Sequence, residues 1–188
     1  MNFVELEVPG VWLIEPKVFG DNRGWFFESY RHDEFAAHGL SDMFVQDNMS
    51  SSAHHVVRGL HYQLEPKAQD KLVRVTRGEV FDVAVDIRKG SPTFGKWAGR
   101  ILSAENKLAM FVPAGCAHGF CVLSDTAEFH YRCTGYYAPS HERGIHWDDP
   151  AIGVEWPVEA ATAILSDKDK RNPPLAQAEI NYEWKAKE

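Results

Sequence analysis

The sequence predicts a mainly β protein, a jelly-roll sandwich or barrel with a few short helices. Many short segments alternate apolar and polar side chains, as expected for half-buried strands. Turn-forming Gly, Pro, Asn and Asp separate these segments at regular intervals. The chain has 188 residues, which is long enough for a substantial core, and the absence of a linker-like segment predicts a single domain over residues 1–188.

The N-terminal third is predicted to contain two strand regions and one helix. A short helix is expected from Asp33 to His38, with Asp33 as its N-cap and Gly39 ending it. The strands are expected at Val4 to Ile14, with an interruption at Pro9-Gly10, and at Trp25 to Tyr30, after a turn at Gly20-Asp21-Asn22.

The clearest β-pattern runs from Leu72 to Arg88, with a turn expected at Arg77-Gly78. Phe81, Val83, Val85 and Ile87 share one face of it, opposite Asp82, Asp86 and Arg88. Further strands are expected at Trp97 to Ser103, Ala109 to Pro113, Gly119 to Leu123 and Ala127 to Thr134. In the last of these, Phe129, Tyr131 and Cys133 share a face. The C-terminal segment is rich in Pro and charge, and Ser166 to Asp169 is expected to open a helical turn.

Composition excludes several classes of function. The net charge of −7 is unfavourable for nucleic-acid binding, which requires a basic surface. No apolar run approaches the roughly 18 residues of a membrane span, and the N-terminus lacks the basic start and apolar core of a signal peptide. Three cysteines without close pairing, Cys116, Cys121 and Cys133, predict free thiols and a cytoplasmic location.

The segment from Val57 to Gln63 contains the candidate base, His61. A histidine in a strand more often packs or hydrogen-bonds than catalyses. On a straight strand, Arg58 and His61 would face opposite ways. Both reach one pocket only if the chain bends between them, and Gly59 permits such a bend.

A metal site was the first alternative for this histidine. Pro113 to His118 has the Pro-x-Gly-x-x-His pattern of the second motif of cupins, a β-barrel family that often binds metal. The first cupin motif requires His-x-His followed by glutamate. Here Gln63 replaces its second histidine, and Lys67 or Ala68 replaces the glutamate. Two of four ligands are missing, so the sequence predicts cupin architecture that has lost its metal.

Basic and polar residues could hold an anionic sugar. Arg23, in an aromatic neighbourhood, suits a phosphate with an attached base, and Glu28, Gln46 and Asn48 could bind a base or sugar edge. Two other candidates have structural alternatives. Ser166-x-x-Asp169 is close to a capping box, and an inward Tyr131 could simply belong to the core.

Seven motifs in order resemble the dTDP-4-dehydrorhamnose 3,5-epimerase family over about Phe3 to Leu175. They are Asp21-x-Arg23-Gly24-x-Phe26-x-Glu28, Val45-Gln46-Asp47-Asn48, Arg58-Gly59-Leu60-His61-Tyr62-Gln63, Lys71-Leu72-Val73-Arg74-Val75, Pro113-x-Gly115-x-x-His118-Gly119-Phe120, Tyr131-x-Cys133-Thr134-x-x-Tyr137, and Trp147-x-Asp149-Pro150 followed by Ser166-x-Lys168-Asp169.

The resemblance implies a cofactor-independent, jelly-roll homodimer that epimerises C3 and C5 of a dTDP-4-keto-6-deoxyhexose. It implies His61 as base, Asp169 as its charge partner, Tyr131 as the acid on the opposite face, and Lys71 near the C4 oxygen. It implies that N-terminal residues reach the partner subunit's site and that residues 166–188 pack on the barrel. The implied substrate-binding residues are Phe19, Arg23, Phe26, Glu28, Gln46, Asp47, Asn48, Arg58, Lys71, His118, Tyr137, Glu142 and Lys168.

Three alternatives remain at this stage: an epimerase acting at C3 or C5 alone, a metal-dependent cupin, and a non-catalytic sugar-nucleotide binder. One residue departs from the family pattern. Asp70 stands where the family usually has glycine between Gln69 and Lys71, and it is expected to face solvent.

Overall fold

The computed structural model describes residues 1–185 and consists of two antiparallel sheets packed face to face, with a separate two-stranded hairpin. One short α-helix and three single 3₁₀ turns accompany them within the described residues. The strands are β1 (Asn2–Glu5), β2 (Trp12–Glu15), β3 (Phe19–Asp21), β4 (Gly24–Phe26), β5 (Gln46–Ala53), β6 (Val57–Gln63), β7 (Lys71–Arg77), β8 (Glu79–Asp86), β9 (Trp97–Ser103), β10 (Ala109–Val112), β11 (Cys116–Val122), β12 (Thr126–Cys133) and β13 (Glu142–Gly144); α1 is His32–Ala37, and the 3₁₀ turns are Pro139–His141, Asp169–Arg171 and Leu175–Gln177.

The larger sheet has the strand order β1-β2-β10-β7-β12-β5, and the smaller has β13-β6-β11-β8-β9. Strands β3 and β4 pair with each other in the separate hairpin. Neighbours in each sheet are mostly distant in sequence, as in a jelly roll. The predicted fold class is therefore confirmed. No helix of the described chain is long and apolar enough to cross a bilayer.

The main core fills the space between the two sheets. Its members include Val73 and Phe129 from the larger sheet and Ala84, Leu102 and Val122 from the smaller one. Each has a relative solvent exposure of 1% or less. Alternation along each strand sends every second side chain into this layer, which is the physical basis of the sequence pattern.

Both sheets are also covered on their outer faces. Helix α1 places Phe35 over Ile14 and Leu72 on the larger sheet. The segment after β13 covers the smaller sheet, where Ile180 and Tyr182 join a second apolar cluster. Strand β8 is consequently buried on both faces, and its two aspartates, Asp82 and Asp86, are fully excluded from solvent.

Two local predictions were wrong. Asp33 does not cap α1; Arg31 holds the N-cap position, and Asp33 pairs with its guanidinium at 2.8 Å. The predicted strand from Trp25 to Tyr30 is shorter and ends at Phe26. The helical turn expected to open at Ser166 to Asp169 is present as the 3₁₀ turn Asp169–Arg171, and a second 3₁₀ turn follows at Leu175–Gln177. Residues 186–188 lie outside the described chain.

Asp70 does not face solvent. Its carboxylate accepts a hydrogen bond from the Ala114 backbone N–H at 2.7 Å, and its own N–H donates to Thr134 Oγ1 at 2.9 Å. Burial raises the pKa of Asp70 to about 6. The residue joins the loop before β7 to the start of the Pro113 to His118 segment, which explains why the chain tolerates a carboxylate there.

A register irregularity bends β6 at Gly59. His61 pairs with His118 on β11, but Arg58, three residues earlier, pairs with Phe120, only two residues later. The additional residue on β6 is a bulge, and it brings Arg58 and His61 to the same side of the sheet. Gly59 has φ +130°, and a Cβ there would lie 2.6 Å from the Gly119 Cα, so only glycine fits. The bend on which the interpretation of His61 depended is present.

Candidate active site

His61, Lys71 and Tyr131 converge between the two sheets. They line two adjoining cavities of about 360 Å³ and 230 Å³, and all three residues border both. His61 comes from β6 of the smaller sheet, whereas Lys71 and Tyr131 come from neighbouring strands of the larger one. The imidazole therefore faces the ammonium and phenol groups across the space between the sheets.

His61 has a carboxylate behind it. Its Nε2 lies 2.5 Å from Asp169 Oδ1, and the Asp169 side chain is only 5% exposed. Burial acts to raise the pKa of Asp169, but the hydrogen bond from His61 and the positive charge near it lower the pKa overall. Asp169 is therefore an anion, and Nε2 carries the shared proton. This leaves Nδ1 as the nitrogen free to accept another proton.

Ser166 and Asp169 also contact each other, as the capping alternative predicted, but through the backbone N–H of Asp169 and not through its carboxylate. The Asp169 backbone N–H donates to Ser166 Oγ at 3.1 Å, while the N-cap position of the 3₁₀ turn is held by Lys168 without a side-chain capping bond. The Asp169 carboxylate is directed to His61 instead. The turn that begins here therefore fixes the position of Asp169.

Lys71 and Tyr131 both lie in a poorly solvated environment. Burial lowers the pKa of the Lys71 ammonium, and nearby acidic groups act in the opposite direction, namely Cys133, Asp82 and Glu142. Burial also raises the pKa of Tyr131 above its usual value, which keeps the phenol protonated. A cation and a neutral proton donor thus stand on the side of the cavity opposite His61.

One end of the cavity is formed by Arg58 and His118. Arg58 donates from Nε to Ser52 Oγ at 3.0 Å, and the rest of its guanidinium borders the smaller cavity. His118 is 7% exposed, and its Nε2 lies 2.9 Å from Asp82 Oδ1. Phe120 and Phe129, stacked with centroids 4.1 Å apart, complete an apolar wall.

The other end is polar and more open. Gln46 donates to Asn48 Oδ1 at 3.0 Å and accepts from the Tyr137 N–H at 2.8 Å. Glu142 accepts a hydrogen bond from the Tyr137 hydroxyl at 2.7 Å and pairs with the Lys168 ammonium at 2.5 Å. These side chains could bind hydroxyl, amide or base-edge groups.

Six predicted binding residues do not line this cavity in the same chain. One of them, Lys168, contacts the cavity residue Glu142 at 2.5 Å. Phe19, Arg23 and Phe26 lie on the exposed β3–β4 hairpin, and Glu28 follows it and pairs with Arg31 at 3.7 Å. The Asp47 side chain is 56% exposed and binds His130 at 2.5 Å. Because Gln46 and Asn48 point inward from β5, strand alternation turns Asp47 to the opposite face.

Asp82 was not identified as a site residue from sequence, although it contacts His118 and lies near Lys71. The sequence did contain a signal for this residue, because Asp82 is a charged residue at the centre of an otherwise apolar strand. Cys133 and Gln69 also line the larger cavity and were not predicted. Their positions depend on pairing between distant strands, which the sequence pattern does not specify.

The cupin-like positions have other partners. Gln63 donates to the Lys67 carbonyl at 2.6 Å and accepts from the Ala138 N–H at 2.7 Å. Among residues 1–185, no group of three or more His, Cys, Asp and Glu side chains is arranged to bind a metal ion.

Comparison with known proteins identifies the family of the chain. Residues 5–177 match the family model described as dTDP-4-dehydrorhamnose 3,5-epimerase. Curated relatives of that name from Shigella flexneri and Pseudomonas aeruginosa are 57% and 56% identical, each covering 95% of this chain and 98% of the relative. The crystal structure of the dTDP-6-deoxy-D-glucose-3,5-epimerase of Legionella pneumophila, in complex with dTDP-4-keto-L-rhamnose, superposes with a TM-score of 0.94 at 47% identity and covers 98% of this chain and 99% of that one. The chain belongs to the dTDP-4-dehydrorhamnose 3,5-epimerase family.

Proposed function

We propose that this chain converts dTDP-4-dehydro-6-deoxy-D-glucose to dTDP-4-dehydro-β-L-rhamnose by inverting C3 and C5. The family is one of isomerases. The observation that carries the assignment of residues is the convergence of His61, Lys71 and Tyr131 on one cavity, with Asp169 bonded to His61. A base, a cation and a neutral acid are the groups that this reaction needs.

His61 is the proposed base. Protons on C3 and C5 are acidic because the C4 ketone takes up the electron pair as an enolate. The free Nδ1 of His61 accepts the proton, and Asp169 stabilises the resulting imidazolium. Lys71 stabilises the negative charge that develops on O4, and a dry cavity strengthens this interaction. Tyr131 then delivers a proton to C5 from the opposite face.

The residues at the two ends of the cavity are proposed to hold the rest of the substrate. Arg58 and His118 lie at one end, where Arg58 presents N–H donors. At the other end the proposed binding residues are Gln46, Asn48, Tyr137, Glu142 and Lys168. Asp47, whose side chain faces away, is proposed to act only through its backbone position between Gln46 and Asn48.

The active assembly is proposed to be a homodimer in which the β3–β4 hairpin enters the partner subunit's site. Phe19 and Phe26 are 52% and 65% exposed, which is unfavourable for aromatic side chains left in water. Arg23 and Glu28 lie on the same projecting segment. In this proposal the hairpin completes a site that each chain leaves open. A cytoplasmic location is supported by the three free thiols.

The test is proton NMR of dTDP-4-keto-6-deoxyglucose with the purified protein in heavy water, followed by coupling to a reductase. Deuterium at both C3 and C5, with formation of the L-lyxo product, is expected. Exchange at one carbon would show a single-site epimerase with the same base chemistry. Binding without exchange would refute the catalytic assignment, and loss of exchange on metal removal, restored by metal, would establish the metal-dependent alternative.

A further inference from the structure

Arg74 is a partly buried arginine on the outer face of β7, on the opposite side of the sheet from Lys71. Its Nη2 donates to the Ser29 carbonyl at 2.7 Å, and its guanidinium carbon lies 5.5 Å from the centroid of the Phe27 ring. Burial and the like charge of Arg132 lower the pKa of Arg74 to about 10, and no acidic group of the described chain offsets them. The contacts with Phe27 and Ser29 are therefore the interactions that stabilise a costly buried cation at this position.

These contacts lie where the β3–β4 hairpin meets the body of the protein. Every residue from 17 to 26 is exposed, and the chain becomes partly buried at Phe27. We call residues 27–30 the hairpin root. The Trp25 ring on β4 stacks on the Phe27 ring, with the two centroids 5.3 Å apart. Arg74 thus holds a root that is in direct contact with the hairpin itself.

The hairpin root also contacts the strand next to β7. The Tyr30 ring lies 5.3 Å from the guanidinium carbon of Arg132 on β12. The inner faces of β7 and β12 present Lys71 and Tyr131 to the cavity. Their outer faces present Arg74 and Arg132 to the root. The segment that directs the hairpin is therefore fixed to two strands that form the cavity of its own chain.

We propose that Arg74 is a positioning residue for the active site of the partner subunit. By holding the hairpin root against the sheet, Arg74 sets the direction in which the hairpin leaves its own chain and enters the partner's cavity. This inference rests on the proposed function, in which the hairpin brings substrate-binding side chains to the partner's site. A root released from Arg74 leaves the hairpin free to adopt several directions, and its side chains then lose their fixed position against the substrate.

The alternative is that Arg74 acts on its own chain, because Lys71 lies three residues earlier on the same strand. Two heterodimers, each purified with a different affinity tag on each subunit, separate the two roles. In the heterodimer of Arg74→Met with His61→Ala, the cavity that retains His61 receives a hairpin whose root is wild type. In the heterodimer of Arg74→Met with Arg23→Ala, both hairpins are defective, one at its root and the other at Arg23.

The loss of a hydrogen bond from a charged group predicts that kcat/KM of the Arg74→Met homodimer falls about tenfold or more. If Arg74 acts through the hairpin, the heterodimer with His61→Ala should have about half of wild-type activity, and the heterodimer with Arg23→Ala less than about a tenth. If Arg74 acts on its own cavity, the two results are exchanged and the proposal is refuted. A wild-type kcat/KM in the homodimer would refute it as well.

The heterodimer of Arg23→Ala with His61→Ala distinguishes failure of the proposed function from failure of this inference. If it is active while the heterodimer of Arg74→Met with His61→Ala is not, only the role of Arg74 is refuted. If it is inactive, the exchange of hairpins between subunits is refuted, and the inference falls with it.

Trypsin cleavage after Arg23, followed by mass spectrometry without substrate, tests the anchor independently of turnover. Cleavage follows the population of released hairpin, so it should be about tenfold faster in Arg74→Met than in wild type. Arg77→Met is the matched control, because Arg77 is an exposed arginine on the same strand, and it should leave the rate unchanged. An unchanged rate in Arg74→Met would overturn the proposal. If Arg74→Met does not fold, Arg74→Lys, which keeps the charge but not the planar fork, replaces it with the same expected pattern.

Discussion

Replacing Asp169 by Asn tests whether the carboxylate behind His61 serves catalysis. The change removes an anion that is only 5% exposed and accepts a 2.5 Å hydrogen bond from Nε2. A hydrogen bond to a charged group contributes about 1.5–3 kcal/mol, which corresponds to about 10- to 150-fold in rate. The amide NH₂ can also donate to Nε2 and so favour a proton on Nδ1, which would block the base. We therefore expect kcat to fall by about 10²–10³-fold, with KM changed by less than about threefold.

Ser166→Ala is the matched control for this substitution. It removes the hydroxyl that accepts the Asp169 N–H at 3.1 Å and leaves the carboxylate in place. Loss of such a hydrogen bond costs about 1 kcal/mol of stability, so kcat should fall by less than about tenfold. Steady-state kinetics and thermal melts of both variants decide the question. If Asp169→Asn lowers the melting temperature but leaves kcat within about threefold of wild type, Asp169 is only a structural residue and the reasoning fails.

Three further predictions concern the acid, the hairpin and a buried carboxylate. Tyr131→Phe should permit proton loss at C5 but impair the return of a proton there. NMR measures the extent of epimerisation, and full epimerisation by this variant would reject Tyr131 as the acid. A 1:1 mixture of His61→Ala and Arg23→Ala subunits should recover about a quarter of wild-type activity. Half of the dimers then contain one subunit of each kind, and one of the two sites in such a dimer has both His61 and the partner's Arg23 intact. No recovery would place Arg23 in its own chain's site. Asp70 has its pKa raised from 3.8 to about 6, so the folded protein binds the extra proton and gains stability as pH falls through that range. The variant Asp70→Asn lacks this pH dependence. Its free energy of unfolding should exceed that of wild type by up to about 3 kcal/mol at pH 8, and the difference should be lost near pH 4. Urea unfolding at both pH values tests this, and an equal difference at both would contradict it.

The strands were predictable because their pattern is local. The segment from Trp97 to Ser103 was predicted with the bounds that β9 has in the structure. The shared face of Phe129, Tyr131 and Cys133 was also correct, since all three turn toward the layer between the sheets. Alternation with a period of two contains enough information for both results.

The orientation of the Asp47 side chain could have been predicted from the strand pattern, although the Val45-Gln46-Asp47-Asn48 motif suggested otherwise. Gln46 and Asn48 were both predicted to bind substrate, and residues at i and i+2 of a strand share a face. Asp47, between them, then has to face the other way, where it binds His130. Assigning all three side chains to one site conflicted with strand geometry from the start.

Other features depend on contacts between distant residues and could not be predicted. The fully buried Asp82 is explained only by its pairing with His118, which is 36 residues away. Asp70 is partly buried because the Ala114 N–H, 44 residues away, needs an acceptor. The bulge at Gly59 follows from its close approach to Gly119 on β11. In each case the partner, rather than the local pattern, decides the outcome.

Because His61 and Asp169 are far apart in sequence, their contact depends on the docking of the C-terminal segment. The two residues are 108 positions apart, and Asp169 belongs to the segment that lies outside both sheets. That segment is held by contacts such as the Tyr62 hydroxyl to the Glu179 carbonyl at 2.7 Å and by Ile180 in the outer apolar cluster. Transient detachment of this segment would separate His61, the proposed base, from its carboxylate partner while the β-sandwich stayed folded. In the proposed mechanism, substitutions beneath the segment, for example at Ile180, change the turnover rate without touching the cavity, and activity requires that the segment after β13 has docked on the sheet.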